Sequence, residues 1–391
     1  MVINHSLSLK VLILLLVWTS TSCRKRTFGP SDSSIDSLLD PHRLPESGPW
    51  FEGWYVRITP DTGSQQSLGV IVGSYLPPGA SRAASEEKGL TGYAAILDGG
   101  SAGEPLRSFE VFPKNTRLYL NKNDIVNRDP APSGKASFRW VADGVGEFSG
   151  DSVALNMANQ ISFRARWLDV SPWSENGLGP EGYISLFRAF PLHWFVHSLR
   201  SRVEFEASLP NPNGTGLQRL SGAGFAHIEK NWGASFPPAY VWMQAFDKAR
   251  NRAVAVAGGR PLQVGVIKPE AWLVGYRSPS TSVDFAPQNL GTVFESKVDA
   301  CSGSFELSSA FLNKRLTINA RAERKTFGGI AIPKESGFEK DGSEQSFQTR
   351  ITTRLFEVVP FSPSRASDRL LEENVFEGGA LEFGSEFKCA R

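Results

Sequence analysis

Residues 225–246 read FAHIEKNWGASFPPAYVWMQAF, setting Glu229, Lys230, Asn231 and Trp232 side by side, with Trp242 and Gln244 close behind. A solvated turn has no use for the indoles, and a plain core strand has no use for the charges. Alternation along a strand puts His227, Glu229 and Asn231 on one face and Lys230 and Trp232 on the other. Gly233 then permits a bend or bulge. In AYVWMQAF, Trp242, Gln244 and Phe246 share a face, and a lone amide among aromatics suits a hydroxyl on an otherwise oily ligand. In PWFEGWYVRI, alternation groups Trp50, Glu52, Trp54 and Val56 against Phe51, Tyr55 and Arg57. If the Glu52 face points into a barrel, desolvation raises the carboxyl pKa and keeps the proton on near neutral pH, as a general acid requires. Structural alternatives stand beside both readings. Glu52 would pair with an Arg or Lys and fix a strand. His227 and Glu229 would form a polar knot between two halves of the chain.

The elements that must position these groups read as strands. From Trp50 onward, short alternating runs such as SLGVIVGSYL, ISFRARWLDV, RAVAVAGG and QTRITTRLFEV are broken by Gly, Pro, Asn and Asp. Amphipathic helices are scarce, and SRASDRLLEENVF is the best short candidate. Many evenly spaced strands without intervening helices indicate sandwich or barrel architecture. The turn PNPNGTG at 210–216 splits them into two similar groups, so two barrel-like sheets are expected in tandem. The resulting division is a targeting segment over 1–22, a Ser/Asp/Pro-rich linker over 23–47, and β domains over 48–220 and 221–391.

The totals set limits. The 391 residues suffice for two or three domains, and a net charge of +2 with 21% charged residues gives no reason to expect nucleic acid. Ten Trp and 26 Phe are a load suited to a large β core or to the lining of an apolar cavity. Cys23, Cys301 and Cys389 are too few for a disulfide framework or a cysteine zinc site; Cys301 and Cys389 either bridge two late strands or stay as thiols. His193 and His197 have H-x-x-x-H spacing without an acidic third ligand, so no metal is expected. No phosphate-cradling loop, dinucleotide fingerprint or nucleophile elbow occurs, so no organic cofactor is expected either. At the N-terminus Lys10, VLILLLVW and TSTSC have the form of a secretory signal ending near Ser22. A short anchor flanked by Arg24–Arg26, a lipoprotein attached at Cys23 and a two-part plastid signal are the other readings. Asn213-Gly214-Thr215 is a glycosylation acceptor by pattern.

These motifs resemble a known family. WFEGWYVRI is similar to the signature that opens tocopherol cyclases, EKNWGASFPPAYVWMQ to their Glu-Lys-Asn-Trp-Gly segment, and GYISLFRAFPLHWFVHSL to their aromatic segment, with Pro191 and His197 in the matching places. GALEFG near the end also fits. The chain departs from the pattern at Ser185-Leu186, where Gly-Pro is usual, and at Trp194, Phe195 and Ser198. The resemblance implies two lipocalin-like barrels and closure of a prenylated hydroquinone to a chromanol without a cofactor. It also implies a peripheral-membrane or lipid-droplet setting, in a plastid if the lineage is photosynthetic, and kinship with carotenoid hydratases. On this reading Glu52 or Glu229 is the acid, and His227, Asn231 and Gln244 orient the ring hydroxyls. Trp50, Trp54, Trp232 and Trp242 line the cavity, and His197 joins the binding set through the motif. A carotenoid or terpenoid hydratase and a noncatalytic prenyl-lipid carrier are the alternatives.

Overall fold

The computed structural model describes residues 38–390 apart from 43, 62–65, 121–122, 125–137, 176, 187–189, 213, 262–267, 360–364 and 366. The leader over 1–22, linker residues 23–37 and the acceptor Asn213 lie outside the described residues.

Alternating sequence becomes strand almost throughout. The first sheet comprises β1 (Trp50–Pro60), β2 (Leu68–Leu76), β3 (Thr91–Asp98), β4 (Arg107–Val111), β5 (Thr116–Leu120), β6 (Asn123–Asp124), β7 (Phe138–Ala142), β8 (Gly146–Ser149), β9 (Ser152–Asn156), β10 (Ser162–Trp167), β11 (Leu192–Pro210) and β12 (Leu217–Gly233). The second comprises β13 (Ala239–Asp247), β14 (Arg252–Arg260), β15 (Ala271–Arg277), β16 (Ser282–Phe285), β17 (Val293–Asp299), β18 (Ser304–Phe311), β19 (Lys314–Arg321), β20 (Gly328–Lys334), β21 (Gly337–Glu357) and β22 (Arg369–Ser385). One seven-residue helix, α1 (Arg82–Lys88), is capped by the Ser81 side chain.

The two sheets repeat one topology. The first runs β4-β3-β2-β1-β12-β11 and onward to β6, and the second runs β16-β15-β14-β13-β22-β21 and onward to β17. In each, the first strand pairs antiparallel with the last long strand, and the sheet curls. The fold is therefore mainly β, with two lipocalin-like antiparallel sheets in tandem. Each curl encloses its own core. Trp54 stacks on Phe138 and Phe148 in the first, and Trp272 packs on Phe305 in the second. A third apolar layer lies between the sheets and draws Tyr55, Tyr93 and Trp194 from the first and Trp242, Ala255 and Phe347 from the second. We refer to it as the seam.

Three sequence expectations need correction. The turn at 210–216 connects β11 to β12 within the first sheet, so that sheet extends to Gly233 and the second begins at Ala239, not at 221. A turn signal marks chain reversal and does not say which sheet the next strand joins. The candidate helix after Ser364 is β22 from Arg369 onward, because pairing with β21 outweighs its helical composition. The end of the expected linker is packed. Leu39 and Leu44 are buried in the first core, and Trp54 Nε1 donates to the Leu39 carbonyl at 2.8 Å. Cys301 and Cys389 form a disulfide that ties the C-terminal tail to the turn after β17.

A linker would tolerate truncation of these leucines to within about 0.5 kcal/mol. Because they are core, Leu39→Ala and Leu44→Ala are each expected to lower the unfolding free energy by about 2–5 kcal/mol in urea denaturation of the full chain.

Candidate active site

β1 and β12 are neighbours, and their register pairs Glu52 with Trp232, Trp54 with Lys230, Tyr55 with Glu229 and Arg57 with His227. Side chains of paired residues lie on the same face of a sheet. Strand alternation therefore sends Glu52, Trp54, Lys230 and Trp232 into the first barrel and Tyr55, Arg57, His227 and Glu229 into the seam. The residues expected in one site thus occupy two places.

Inside the barrel, Glu52 is 1% exposed and lies 2.7 Å from Lys230 Nζ and 2.7 Å from His42 Nδ1, while the His42 backbone N–H also donates to it. Burial alone pushes the Glu52 carboxyl up, but Lys230 and then His42 outweigh it and hold the group below its ordinary range. Glu52 is therefore an ionised partner in a buried pair, not a protonated acid. Lys230 also donates to the carbonyls of Leu38 and Asp40, which fastens the N-terminal segment across the barrel end. Its ammonium sits 5.5 Å and 5.1 Å from the ring centres of Trp54 and Trp232. Trp232 stacks on both His42 and His193, and His193 bonds to Glu181 at 2.7 Å. Trp50 packs against the same core.

In the seam, one oxygen of Glu229 gathers three nitrogens. Trp194 Nε1 and Trp242 Nε1 each donate to Oε2 at 2.9 Å, and His227 Nε2 lies 2.9 Å from the same atom. Trp194 comes from β11 and Trp242 from β13, so this carboxyl joins the two sheets. Gln244 accepts from Arg57 Nη1 at 2.8 Å. Thus Glu229, His227, Trp242 and Gln244 do converge. Asn231 is half-buried and makes no side-chain hydrogen bond to them among the described residues. His197 sits at the bulge after Val196 with its ring beside Phe195, away from this group, and burial pulls its imidazole down to about 4.

A second carboxyl completes the seam. Glu382, on β22, accepts from Tyr240 Oη at 2.6 Å and from Gln345 Nε2 at 2.9 Å. Burial pushes it up to about 7, and the charge of Glu229 acts in the same direction against the opposing Tyr240 and Ser343 hydroxyls. Tyr240 reaches it because its ring lies flat on Gly384, where a Cβ would meet Tyr240 Cε1 at 1.8 Å. Tyr55, edge-on to Trp242 at 5.1 Å, has its phenol pushed well above the usual range, first by burial, and it senses Arg57, Glu229 and Glu382. Tyr93 extends the seam outward and donates to Glu110 at 2.6 Å. Glu110 lines an open groove of about 710 Å³ with Ser108, Phe112, Phe338 and Lys340. Among the described residues, no group of three or more His, Cys, Asp or Glu is arranged to hold a metal.

Sequence reasoning missed Glu382, Tyr240 and Gln345, although GALEFG contains the first. It assigned Tyr55 and Arg57 to the face opposite Glu52 without giving them a role.

The fold and site define a two-barrel β protein with a buried carboxyl pair between its sheets. Residues 216–385 match the family model described as tocopherol cyclase-like, so the resemblance drawn from the motifs is borne out over a stretch that includes Glu229, Trp242 and Glu382. Two solved structures are similar: an AttH protein from Nitrosomonas europaea, at 11% identity and a TM-score of 0.45, and kievitone hydratase from Nectria haematococca, at 9% identity and a TM-score of 0.41. Each alignment covers 90% of this chain, and 96% and 95% of the respective neighbour. No curated protein matches the sequence.

Because Glu52 and Lys230 form a buried pair, Glu52→Gln and Lys230→Met are each expected to cost about 3–5 kcal/mol in equilibrium unfolding. The double variant, which leaves neither charge unpaired, is expected to lose less than the sum of the two.

Proposed function

We propose that this chain is an acid–base cyclase that closes a prenylated hydroquinone to a chromanol, with Glu382 as the proton donor and Glu229 as the proton acceptor. The observation that carries this reading is the pair of carboxyls in one apolar seam with unlike surroundings. Burial raises Glu382 to about 7, so it holds a proton into the neutral range, while Glu229 is aimed at by N–H donors. Two titratable groups whose environments differ in this way divide acid and base roles between them.

The chemistry is redox-neutral and balances within the seam. Glu382 gives its proton to the alkene carbon, a tertiary cation forms, and the phenolic oxygen, whose proton goes to Glu229 with His227 behind it, bonds to that cation. A positioned acid supplies roughly 10²–10⁴ in rate. The rings of Trp194, Trp242 and Tyr55 stabilise the cation by about 0.5–2 kcal/mol each where it lies over a ring face. Alignment of oxygen and cation supplies the largest share, about 7 kcal/mol or more when the geometry is near-attack. A dry seam protects the cation from water, which would give an alcohol. A membrane or lipid-droplet surface is the natural source of so greasy a substrate. The Cys301–Cys389 disulfide supports a route through an oxidising compartment, as the apolar N-terminal segment also suggests.

The full chain, incubated with dimethyl-phytyl-hydroquinone in D₂O under reducing conditions, is expected to yield a chromanol with one carbon-bound deuterium by mass spectrometry. An open-chain alcohol would make it a hydratase, and unchanged hydroquinone in a tight complex would make it a carrier. Turnover is expected to fall about tenfold per pH unit above about 7, the value to which Glu382 is raised. Glu382→Gln is expected to lose about 100-fold or more in turnover. The same variant is expected to be more stable than the parent at pH 8. A carboxyl whose folded pKa is raised binds more protons in the folded state, so stability declines as pH rises from the ordinary value of 4.5 to about 7 and stays lower beyond it.

A further inference from the structure

Among the described residues, the seam holds a charge that no counter-ion neutralises. Arg57 is 1% exposed, and no carboxylate among the described residues forms an ion pair with it. Its partners are neutral dipoles: Gln244 Oε1 at 2.8 Å, Ser67 Oγ at 3.2 Å and the Gly378 carbonyl, with the Phe347 ring 5.0 Å from Cζ. Burial pulls the guanidinium down only to about 10, so it stays charged at neutral pH. An uncompensated buried ion is expensive, and natural cores rarely keep one without a use.

The groups around it are also short of partners. Arg57 Nε, His227 Nδ1 and Gln345 Oε1 are all buried without a hydrogen bond, and the Tyr55 hydroxyl has the Gln345 side chain beside it but no acceptor for its own O–H. Tyr55 is 7% exposed, His227 2% and Gln345 0%. Tyr55 shares a strand face with Arg57, His227 is its cross-strand partner, and Gln345 lies beside Tyr55. Buried polar groups are satisfied in the large majority of cases, so three unsatisfied atoms in one layer, beside a phenol with an O–H to give, mark a place that a polar ligand completes. Arg57 Nε and Tyr55 Oη carry N–H and O–H donors beside a fixed positive charge. The carboxyls Glu229 and Glu382 face the same layer from β12 and β22, close enough to Tyr55 to affect its ionisation.

We propose that Arg57 and Tyr55 form a docking site for an anionic oxygen of the ligand, and that this oxygen is the phenolate of the substrate. The anion site stands on the geometry alone; naming the oxygen a phenolate rests on the cyclase reading above. In that reading the phenol O–H bond breaks on docking and its proton goes to the Glu229–His227 pair. The freed lone pair then forms the C–O bond to the carbon chain that Glu382 has protonated, and no oxidant or reductant is required. Arg57 thereby makes the nucleophile while the opposite carboxyl makes the electrophile.

The test uses the full chain and a long-chain alkylphenol whose saturated tail cannot cyclise. Phenol and phenolate differ in ultraviolet absorbance, so the ionisation of the bound ring is read directly by pH titration. The bound phenol is expected to ionise about 1–3 pH units lower than the same phenol in detergent micelles. Its O-methyl ether is expected to bind about tenfold or more weakly, followed by quenching of tryptophan fluorescence. Arg57→Gln is expected to abolish the ionisation shift, Arg57→Lys to keep part of it, and Tyr55→Phe to weaken binding. A fatty acid of equal length that binds in an Arg57-dependent way, without any shift for the phenol, would overturn the phenolate assignment and leave a carboxylate site. Equal binding of phenol and ether, with no shift in the parent protein, would overturn the anion site altogether, whether or not the Arg57 variants fold. An intact shift without deuterium incorporation from the unsaturated substrate would leave this inference standing and sink the cyclase reading. Full turnover by Arg57→Gln would do the reverse.

Discussion

One carboxylate oxygen holds the centre of this molecule together. Glu229 Oε2 receives the indole N–H of Trp194 from the first sheet and of Trp242 from the second, beside His227 Nε2. Hydrogen bonds to a charged acceptor are roughly twice as strong as neutral ones, and inside an apolar layer they are costly to leave unmade. The two indole bonds tie β12 to β11 and to β13, which follows it after the Phe-Pro-Pro turn. The stretch that mixes acid, base, amide and indole is therefore the crossing between the two sheets. Its charges serve both sides of β12: Lys230 neutralises Glu52 in the barrel, and Glu229 gathers donors in the seam.

Once the sheets are docked in this way, the rest of the seam inherits a low-dielectric setting. That setting raises Glu382 to about 7, raises the phenols of Tyr55, Tyr93 and Tyr240, and leaves Arg57 with neutral partners among the described residues. A barrel interior alone would not give these properties. The first barrel shows the opposite solution, in which Glu52, Lys230 and His42 compensate one another and lock the N-terminal segment in place. One pair of strands thus builds a mutually neutralised cluster on one face and an unbalanced one on the other.

Strand parity was legible in the sequence, and it separated these two sets correctly: Glu52 with Trp54 against Tyr55 with Arg57, and Lys230 with Trp232 against His227 with Glu229. Parity does not say which face meets water, a barrel core or another sheet, so Glu52 was given the environment that belongs to the seam. Glu382 was out of reach of local periodicity because its hydroxyl partner Tyr240 lies 142 residues away. His42 lay in a Ser/Asp/Pro-rich stretch whose composition reads as linker, and only the burial of Leu39 and Leu44 reveals that it packs. The two-sheet division was readable from the rhythm of the strands, but its boundary was not, because a tight turn looks the same within a sheet and between sheets.

The central claim is that Glu382 keeps its proton well above the ordinary glutamate range, up to about pH 7. Isotope-edited infrared spectroscopy of the glutamate-labelled chain, with Glu382→Gln as the reference, observes that proton directly through the carboxylic acid carbonyl band. The account predicts a protonated-carboxyl band that disappears with a midpoint near pH 7, the value to which burial raises Glu382, and that the variant lacks. A spectrum with no such band at about pH 6, where an ordinary glutamate is already ionised, would contradict the account.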